Sequence, residues 1–362
     1  MKVGILTLPF NTNYGGILQA WALQTFIKDQ GFEASTFLPE EGYIIDSSWK
    51  QRIRRLIRIC LNKKPYRPVF IDIYFRKLYE SLNGFAEKHI NSTKISDFNH
   101  ISEDFGVFVV GSDQIWRKHY FNLSWQSSFF NSLLAFAEKR NVRRLSYAAS
   151  IGTDEWQFTP EETPRAKELL SLFDAVSVRE PSAADLIKEF TGLSAETVAD
   201  PTLLLDKSRY IELIKNSDFH PGGVVSYILD HSGNALALAD KVAKSKNLKR
   251  TEINHLDKNK KIVSLEDWLS AIASAEIVVT DSYHGSIFSI IFGKPLIFTG
   301  NTKRGNTRFS CLIETFGLQD NCITDISRYN PNQNYALPAD VPSKLAAIRS
   351  RSKDFLLGAL SK

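Results

Sequence analysis

The chain has 362 residues, of which 43% are apolar and 23% are charged, and its formal net charge is +5. This balance is that of an ordinary globular protein and excludes a disordered or fibrous one. Because a single hydrophobic core stops growing below this length, we expect two domains with a cleft between them. A solvated surface accounts for the modest charge, and we expect no nucleic-acid partner.

Neither a leader nor a membrane span is predicted. The N-terminus enters a strand directly, without the basic, apolar and cleavage regions of a signal peptide, so we expect a cytoplasmic protein. The longest nearly apolar run, residues 286–298, is interrupted by a Gly-Lys-Pro turn and is too short to cross a bilayer. Cys60, Cys311 and Cys322 lack metal-ligand or redox spacing, so we expect reduced thiols and no metal site.

The first half of the chain has the pattern of a parallel α/β domain. Residues 3–8 form a short apolar run, helical spacing follows over residues 17–27, and residues 34–38 supply a second strand. This βαβ opening is typical of doubly wound sheets. Further short apolar strands are predicted over residues 106–110, 145–149, 175–178 and 197–199.

The alternation restarts after Asp200-Pro201-Thr202 and predicts a second α/β domain. Its strands are predicted over residues 223–229, 250–254, 276–280 and 296–298, and its helices over 235–246, 265–273, 286–292 and 309–316. A terminal helix is predicted from residue 341 that packs back across the domains. We therefore predict an N-terminal domain over residues 1–205, a C-terminal domain over 206–340 and a terminal helix over 341–362.

Residues 49–67 carry eight Lys or Arg residues and no acid, with apolar residues at helical spacing. One interpretation is a cationic amphipathic helix that lies on an anionic membrane face or against a lipid-diphosphate substrate. The other is a solvated surface helix with its apolar side on the core. The sequence leaves both open.

A polar turn at residues 280–286 joins an apolar strand to an apolar helix. Such a turn directs helix-start N–H groups into the crevice at the carboxyl end of a sheet, where they favour an anion. His284 lies at this junction, beside Asp281 and Ser282, and can bind an anion when protonated or transfer a proton when neutral. We therefore predict a functional role for His284.

Two other strand ends carry polar residues. Ser112 and Asp113 follow the strand that ends at Gly111, where they serve as helix caps or as ligand-facing groups. The turn after the first strand is similar to a dinucleotide fingerprint but lacks its three spaced glycines, so we do not expect a nicotinamide cofactor.

Arginines occur at two further places in the sequence, one after a third strand end and the other in the loop before a predicted helix. Arg179 and Glu180 follow residues 175–178, where they form an exposed ion pair or project into the crevice. Arg304 and Arg308 lie in a loop that is either a phosphate clamp or a basic surface loop.

Five motifs, taken in order, resemble the polysaccharide pyruvyl transferase family over nearly the whole chain. They are NTNYGGILQAWALQ at 11–24, VGSDQIW at 110–116, SVRE at 177–180, DPT at 200–202 and TDSYHG at 280–285. The resemblance implies two Rossmann-like α/β domains that face each other across a cleft, as in glycosyltransferases of the B architecture. It also implies a transferase that makes a pyruvate ketal on a hexose of a capsule or exopolysaccharide, or of a lipid-linked precursor.

The implied donor is phosphoenolpyruvate, a co-substrate, with no cofactor and no metal. The residues that can bind it are Arg179, Ser282, Gly285, Ser286, Arg304 and Arg308. We expect His284 to be the catalytic acid and Asp113 the base or acceptor-orienting group, with Asp281 as the alternative. The residues expected to line the acceptor side of the cleft are Asn11, Asn13, Tyr14, Gly15, Ser112 and Asp281.

The sequence departs from the family pattern at Ser282, where many members have an arginine. Arg304 or Arg308 is then expected to supply the missing charge. Two other functions share this architecture: a glycosyltransferase that uses a nucleotide sugar, and a glycan-binding protein without activity.

Overall fold

The computed structural model describes residues 1–40, 69–230, 234–254, 262–300 and 307–361, with the side chains of 69–75 and 307–308 excepted. The basic segment at 49–67, whose two interpretations were left open, lies outside these residues, and so does Arg304.

Five parallel strands form the first sheet. They are β1 (Lys2–Leu6), β2 (Glu33–Pro39), β3 (Ser92–Ile95), β4 (Phe105–Gly111) and β5 (Arg143–Tyr147), in the spatial order β3-β2-β1-β4-β5. Two short strands, β6 (Ser177–Val178) and β7 (Glu196–Thr197), pair with each other and continue the sheet beyond β5 through single bridges.

Both faces of this sheet are covered. Val107 and Val109 of β4 belong to one hydrophobic cluster, and the alternate residues Phe108 and Val110 belong to another. Apolar residues on both faces are the usual pattern of a parallel strand enclosed by helices. The helices of this half are α1 (Tyr14–Asp29), α2 (Val69–His89), α3 (Lys118–Trp125), α4 (Thr163–Ser171) and α5 (Pro181–Thr191).

A second parallel sheet has the order β11-β10-β8-β9. Its strands are β8 (Val224–Tyr227), β9 (Arg250–Glu252), β10 (Ile277–Thr280) and β11 (Leu296–Phe298). The helices of this half are α6 (Lys207–Ile214), α7 (Ala235–Lys246), α8 (Leu265–Ser274), α9 (Tyr283–Phe292) and α10 (Thr307–Phe316). The first sheet ends at Thr197 and the second begins at Val224, so the predicted domain boundary at residue 205 lies between them.

The two halves share one continuous cluster of buried apolar side chains. Within it, the Tyr14 ring of α1 stacks on Trp268 of α8, with ring centroids 5.4 Å apart. The final helix, α11 (Val341–Ser361), also contacts the first half, because the hydroxyl of Ser352 accepts a hydrogen bond of 2.9 Å from the Ala199 N–H. None of the helices in the described ranges has the length and apolar character that a membrane span requires.

The strand order reverses between β1 and β4 in the first sheet and between β8 and β10 in the second. Parallel α/β sheets bind ligands at such reversals, outside the carboxyl ends of the strands. Here the two reversals face each other, because Gly15, at the start of α1 after β1, lies against His284, at the start of α9 after β10. The predicted fold class, two Rossmann-like domains facing across a cleft in a glycosyltransferase-B-like architecture, is confirmed.

Candidate active site between the two domains

The N-termini of α1 and α9 meet at the crevice between the sheets. A Cβ atom added to Gly15, in the first turn of α1, would lie 2.0 Å from Nδ1 of His284, in the first turn of α9. Because this separation is far below van der Waals contact, any larger residue at position 15 would displace the His284 ring. The aligned N–H dipoles of two helix starts favour a negative charge at this place.

His284 is buried at this junction and keeps one ring nitrogen without a hydrogen bond. Its Nε2 lies 3.7 Å from Oδ2 of Asp200, which is beyond hydrogen-bond distance, and has no other partner among the described residues. A buried nitrogen left in this state is costly, since the penalty of its desolvation is not repaid. His284 is therefore placed to bind a ligand atom or to exchange a proton with it.

Asp200 lies between Arg179 and His284 and connects them. One of its oxygens, Oδ2, accepts a hydrogen bond of 3.0 Å from Nη1 of Arg179, and Oδ1 accepts bonds from the N–H and hydroxyl of Thr202 at 3.0 and 2.7 Å. Burial alone would raise the pKa of Asp200, but His284, Arg179 and the Thr202 N–H lower it below its ordinary value. Asp200 is thus a carboxylate between two potential cations.

Arg179 offers a free edge of its guanidinium to the site. Only Nη1 is bonded, to Asp200, while Nε and Nη2 have no hydrogen-bond partner among the described residues although Arg179 is 3% exposed. Burial would lower the pKa of Arg179, but the charge of Asp200 above all raises it, so the side chain stays cationic. The guanidinium also lies 5.1 Å from the ring centre of Tyr283.

Glu180 lies beside this free edge and is held by a second polar network. Its Oε1 accepts hydrogen bonds from the Ser150 hydroxyl at 2.7 Å and from the Gly152 N–H at 2.9 Å. Its Oε2 lies 3.7 Å from Nε of Arg179 and has no hydrogen-bond partner in the described part of the chain. Arg179 and Glu180 are therefore both buried in the crevice, and the alternative of an exposed ion pair is wrong.

Asp113 reaches the same cluster from β4. Its backbone has a φ of 57°, in the left-handed region that a residue other than glycine rarely adopts, and its Oδ1 accepts a bond from the Gln114 N–H at 2.9 Å. Its Oδ2 would lie 3.2 Å from a Cβ added to Gly16, so the carboxylate sits over the first turn of α1. The negative charge of Asp113 also raises the pKa of Arg179, which places the two residues in one electrostatic cluster.

Several backbone N–H groups of the turn from β10 into α9 are already hydrogen-bonded within the turn. The Ser282 hydroxyl accepts a bond from the Gly285 N–H at 3.3 Å, and the Ser282 carbonyl accepts one from the Ser286 N–H at 3.0 Å. Asp281 accepts the backbone N–H groups of Leu229 and Asp230, so it ties the end of β8 to the end of β10. Of the residues predicted in this turn, His284 is the one that keeps an unbonded nitrogen.

The predicted residues of the first domain have different surroundings. Tyr14 is fully buried, with its ring against Trp268 and its hydroxyl 2.6 Å from the Val263 carbonyl that accepts its hydrogen bond. Asn13 begins α1 without a side-chain cap and is exposed, and Asn11 is partly buried. Ser112 is fully buried with its hydroxyl unpaired among the described residues.

Helix α10 lies next to the cluster. The charges of Glu180 and Arg179 act on the Cys311 thiol, whose pKa is raised chiefly by burial. The parts of Arg304 and Arg308 that were predicted to bind the donor lie outside what the structure describes, so their roles stay predictions. In the described ranges, no group of three His, Cys, Asp or Glu side chains is arranged to hold a metal ion.

Asp200 is a site residue without a predicted role, whereas Glu180 was predicted, together with Arg179, either in an exposed ion pair or in the crevice. The signal for Asp200 was present, because it belongs to one of the motifs that carry the family resemblance. An acid directly before Pro201-Thr202 has the pattern of a helix cap, and Asp200 does accept the Thr202 N–H. Its second function, contact with Arg179 and His284, depends on residues distant in sequence.

Fold and site together define a two-domain α/β protein with a buried cluster of charged groups in the crevice between its sheets. The sequence model of the polysaccharide pyruvyl transferase family matches residues 13–303. The chain belongs to this family, whose members are transferases. No curated protein matches the chain.

Several solved structures are similar at low identity. UDP-GlcNAc 2-epimerase of Methanocaldococcus jannaschii, in complex with UDP-GlcNAc and UDP, has 12% identity and a TM-score of 0.48, over 97% of this chain and 99% of that one. A putative UDP-N-acetylglucosamine 2-epimerase from Listeria monocytogenes has 11% identity and a TM-score of 0.47, over 98% and 90%. A spinosyn rhamnosyltransferase complexed with thymidine diphosphate has 12% identity and a TM-score of 0.41, over 99% and 96%.

Proposed function

We propose that this chain transfers the pyruvyl unit of phosphoenolpyruvate to a hexose of a surface polysaccharide, or of its lipid-linked precursor, as a ketal. The observation that carries the proposal is the free edge of Arg179. Two N–H donors of a buried guanidinium, Nε and Nη2, have no hydrogen bond within the described residues, and they lie in the same cluster as the unbonded Nε2 of His284. These groups suit a ligand with more than one anionic group.

The donor provides such groups. Phosphoenolpyruvate carries a carboxylate and a phosphate, and the Nε and Nη2 hydrogens of a guanidinium point in parallel toward the two oxygens of one such group. His284, when protonated, then contacts the second group or the bridging oxygen. The helix starts at Gly15 and His284 add partial positive charge without adding a side chain. The cluster therefore recognises the donor without a metal ion or a cofactor.

The reaction needs one proton delivered to carbon and two removed from hydroxyls. Protonation of the methylene carbon of the donor makes a methyl group and leaves a cationic centre at the adjacent carbon, which one sugar hydroxyl attacks. The C–O bond to phosphate breaks, and a second hydroxyl closes the ketal. Of the two hydroxyl protons, one replaces the proton used to make the methyl group and the other leaves with phosphate, so the atoms balance.

We assign the proton transfers to His284 and Asp113. His284 has the unbonded nitrogen and is the acid that protonates the methylene carbon. Asp113 lies over the first turn of α1 and has one carboxylate oxygen, Oδ2, directed toward Gly16, from which it can take a hydroxyl proton. Asp200 has its Oδ2 3.0 Å from Nη1 of Arg179 and 3.7 Å from Nε2 of His284, so it holds both side chains in place and is a positioning residue.

The acceptor in this proposal can be a lipid-linked precursor that is held at a membrane. A precursor built on a polyprenyl diphosphate lies at the inner membrane face, where a cytoplasmic enzyme would reach it. The basic segment at 49–67 supplies the charge for reversible contact with anionic lipid, since each Lys or Arg near such a surface contributes about 1 kcal/mol. Sedimentation with anionic liposomes tests this contact, and unchanged sedimentation after reversal of Arg52, Arg54, Arg55 and Arg58 to Glu would contradict it.

The proposed function is tested with the natural acceptor. Surface polysaccharide is isolated from a strain that lacks this chain, cut into fragments, and incubated with the protein and phosphoenolpyruvate. We expect phosphate release together with an acceptor mass gain of one pyruvate less one water. Phosphate release without any acceptor gain, or a gain of one hexose in a parallel incubation with a nucleotide sugar in place of phosphoenolpyruvate, would contradict the proposal.

A further inference from the structure

The N-terminal domain carries a surface groove that the donor site does not use. Its cavity volume is about 510 Å³. The residues that line it are Lys118, His119, Asn122 and Leu123 of α3, and Trp156 and Gln157 of the loop before α4. We propose that this groove binds sugar units of the acceptor beyond the hexose that is modified. The inference rests on the proposed function, since it assumes a glycan acceptor.

Helix α3 begins close to the proposed site. Gln114, the residue after Asp113, accepts a hydrogen bond of 2.7 Å from the Arg117 guanidinium at its Oε1. The backbone N–H of Lys118, the first residue of α3, donates to Oε1 of Gln157 at 3.2 Å. The strand end that carries Asp113 is thus connected, through short contacts, to the groove.

The C-terminal end of α3 is hydrogen-bonded to the residue that follows β1, the strand beside β4 at the reversal of strand order. The indole Nε1 of Trp125, at the end of α3, donates a hydrogen bond of 3.0 Å to the carbonyl of Thr7, which follows β1. Helix α3 is therefore attached to the carboxyl ends of both β1 and β4. A polymer whose reacting sugar lies at this edge of the sheet can continue along the outer side of α3.

The apolar part of the groove consists of a half-buried Trp156 and an exposed Leu123. Trp156 is fixed by a hydrogen bond of 2.9 Å from its Nε1 to the Thr163 hydroxyl, and its ring stacks on Phe190 at 5.3 Å with an interplanar angle of 1°. Leu123 is 64% exposed, so most of this apolar side chain faces water. The C–H faces of sugars pack on such surfaces, and covering them removes apolar area from water.

The polar part of the groove favours a neutral ligand over an anionic one. Nζ of Lys118 is paired with Glu162, at 2.8 and 2.6 Å from its two carboxylate oxygens. This pairing leaves little free positive charge for a phosphate or a lipid headgroup. The exposed amide of Asn122 offers a donor and an acceptor of the kind that hydroxyl groups bind. An apolar platform with amide groups at its side matches a saccharide.

The proposal predicts a preference for long acceptors that depends on the groove. We compare fragments of the non-pyruvylated polysaccharide that contain one repeat unit with fragments that contain several. For the long fragments, Leu123→Asp is expected to raise the acceptor KM about tenfold, and KM for the single unit and for phosphoenolpyruvate is expected to stay unchanged. Ile211→Asp on α6, at a position that is 42% exposed, is the matched control and should behave as the wild type.

Binding measured by calorimetry without donor separates this inference from the proposed function. If long fragments bind more tightly than single units, and Leu123→Asp removes the difference, the groove binds glycan even where no transfer occurs. If transfer occurs but Leu123→Asp keeps the full preference for long fragments, the groove is overturned and the proposed function stands. A wild type that shows no preference for long fragments also contradicts glycan binding in the groove. The same holds if Leu123→Asp loses sedimentation with liposomes but keeps its binding of glycan.

Discussion

Substitution of Gly15 by alanine tests the geometry of the site without removing any functional group. Glycine within a helix is less favourable than alanine by about 1 kcal/mol, so a glycine in the first turn of α1 has a reason other than helix formation. The reason is the His284 ring, since an added Cβ would lie 2.0 Å from Nδ1 and 2.2 Å from Cγ. Non-bonded heavy atoms pack best at about 3.5 Å. To reach this distance from the added Cβ, the His284 ring must move by about 1.5 Å.

Such a displacement alters the reacting geometry. It moves the ring relative to Asp200, now 3.7 Å from Nε2, and relative to the free edge of Arg179. A misplacement of about 1 Å can cost about 100-fold in rate, and we expect Gly15→Ala to lower kcat by this order. Stability should change little, because the helix gain of about 1 kcal/mol offsets part of an overpacking cost of about 1–3 kcal/mol.

The assay is phosphate release at saturating donor and acceptor, together with the unfolding midpoint in urea. Gly84→Ala is the matched control, because Gly84 lies in α2 and an added Cβ there meets nothing within 4 Å. This control should keep full activity and gain stability. If Gly15→Ala also keeps full activity, His284 is not held in place by Gly15 and the reasoning is refuted.

Four further predictions concern the charged cluster. Arg179→Lys keeps the charge but loses the free edge, so KM for phosphoenolpyruvate should rise about tenfold or more at constant acceptor KM; equal effects on both substrates would contradict this. His284→Ala should abolish transfer with the far-UV spectrum unchanged, and turnover at the wild-type rate would remove His284 from the mechanism. Since the folded-state pKa of Asp200 lies below its ordinary value of 3.8, its stabilisation is present above about pH 4 and is lost as pH falls toward the folded pKa. Asp200→Asn should therefore lower the free energy of unfolding at pH 7 by about 3–5 kcal/mol and flatten its decline below pH 4; parallel pH curves for variant and wild type would refute the assignment. Activity should survive a chelator, and a loss that magnesium reverses would show that a metal is required.

Local patterns predicted most of the fold. The strand predicted at 276–280 and the helix predicted at 286–292 correspond to β10 and α9, and the helix begins three residues earlier, at Tyr283, where the Ser282 side chain caps it. Strand β3, with the sequence Ser-Thr-Lys-Ile, was not predicted. It is a partly exposed edge strand with mostly polar residues, so its formation depends on pairing with β2 and not on its own hydrophobicity.

The site was predicted in part, for a related reason. His284, Arg179 and Asp113 each follow a strand end, and the topology of parallel sheets brings such ends together. The contact between Asp200 and His284 has no local signal, because it depends on how one domain packs against the other. The close approach of Gly15 to His284 also has no local signal. A glycine after a strand is typical of a turn, and its sequence does not indicate that a ring from the other domain packs against it.

In the proposed function, the Arg179–His284 cluster binds phosphoenolpyruvate and protonates its methylene carbon as the ketal forms. Transfer carried out in heavy water tests this most directly, with the acceptor product examined by mass spectrometry and by NMR of its methyl group. We expect one deuterium in the methyl group of each new ketal, one phosphate released for each ketal, and neither product in His284→Ala. A product that retains the methylene group without deuterium, or equal deuterium incorporation by His284→Ala, would contradict this function.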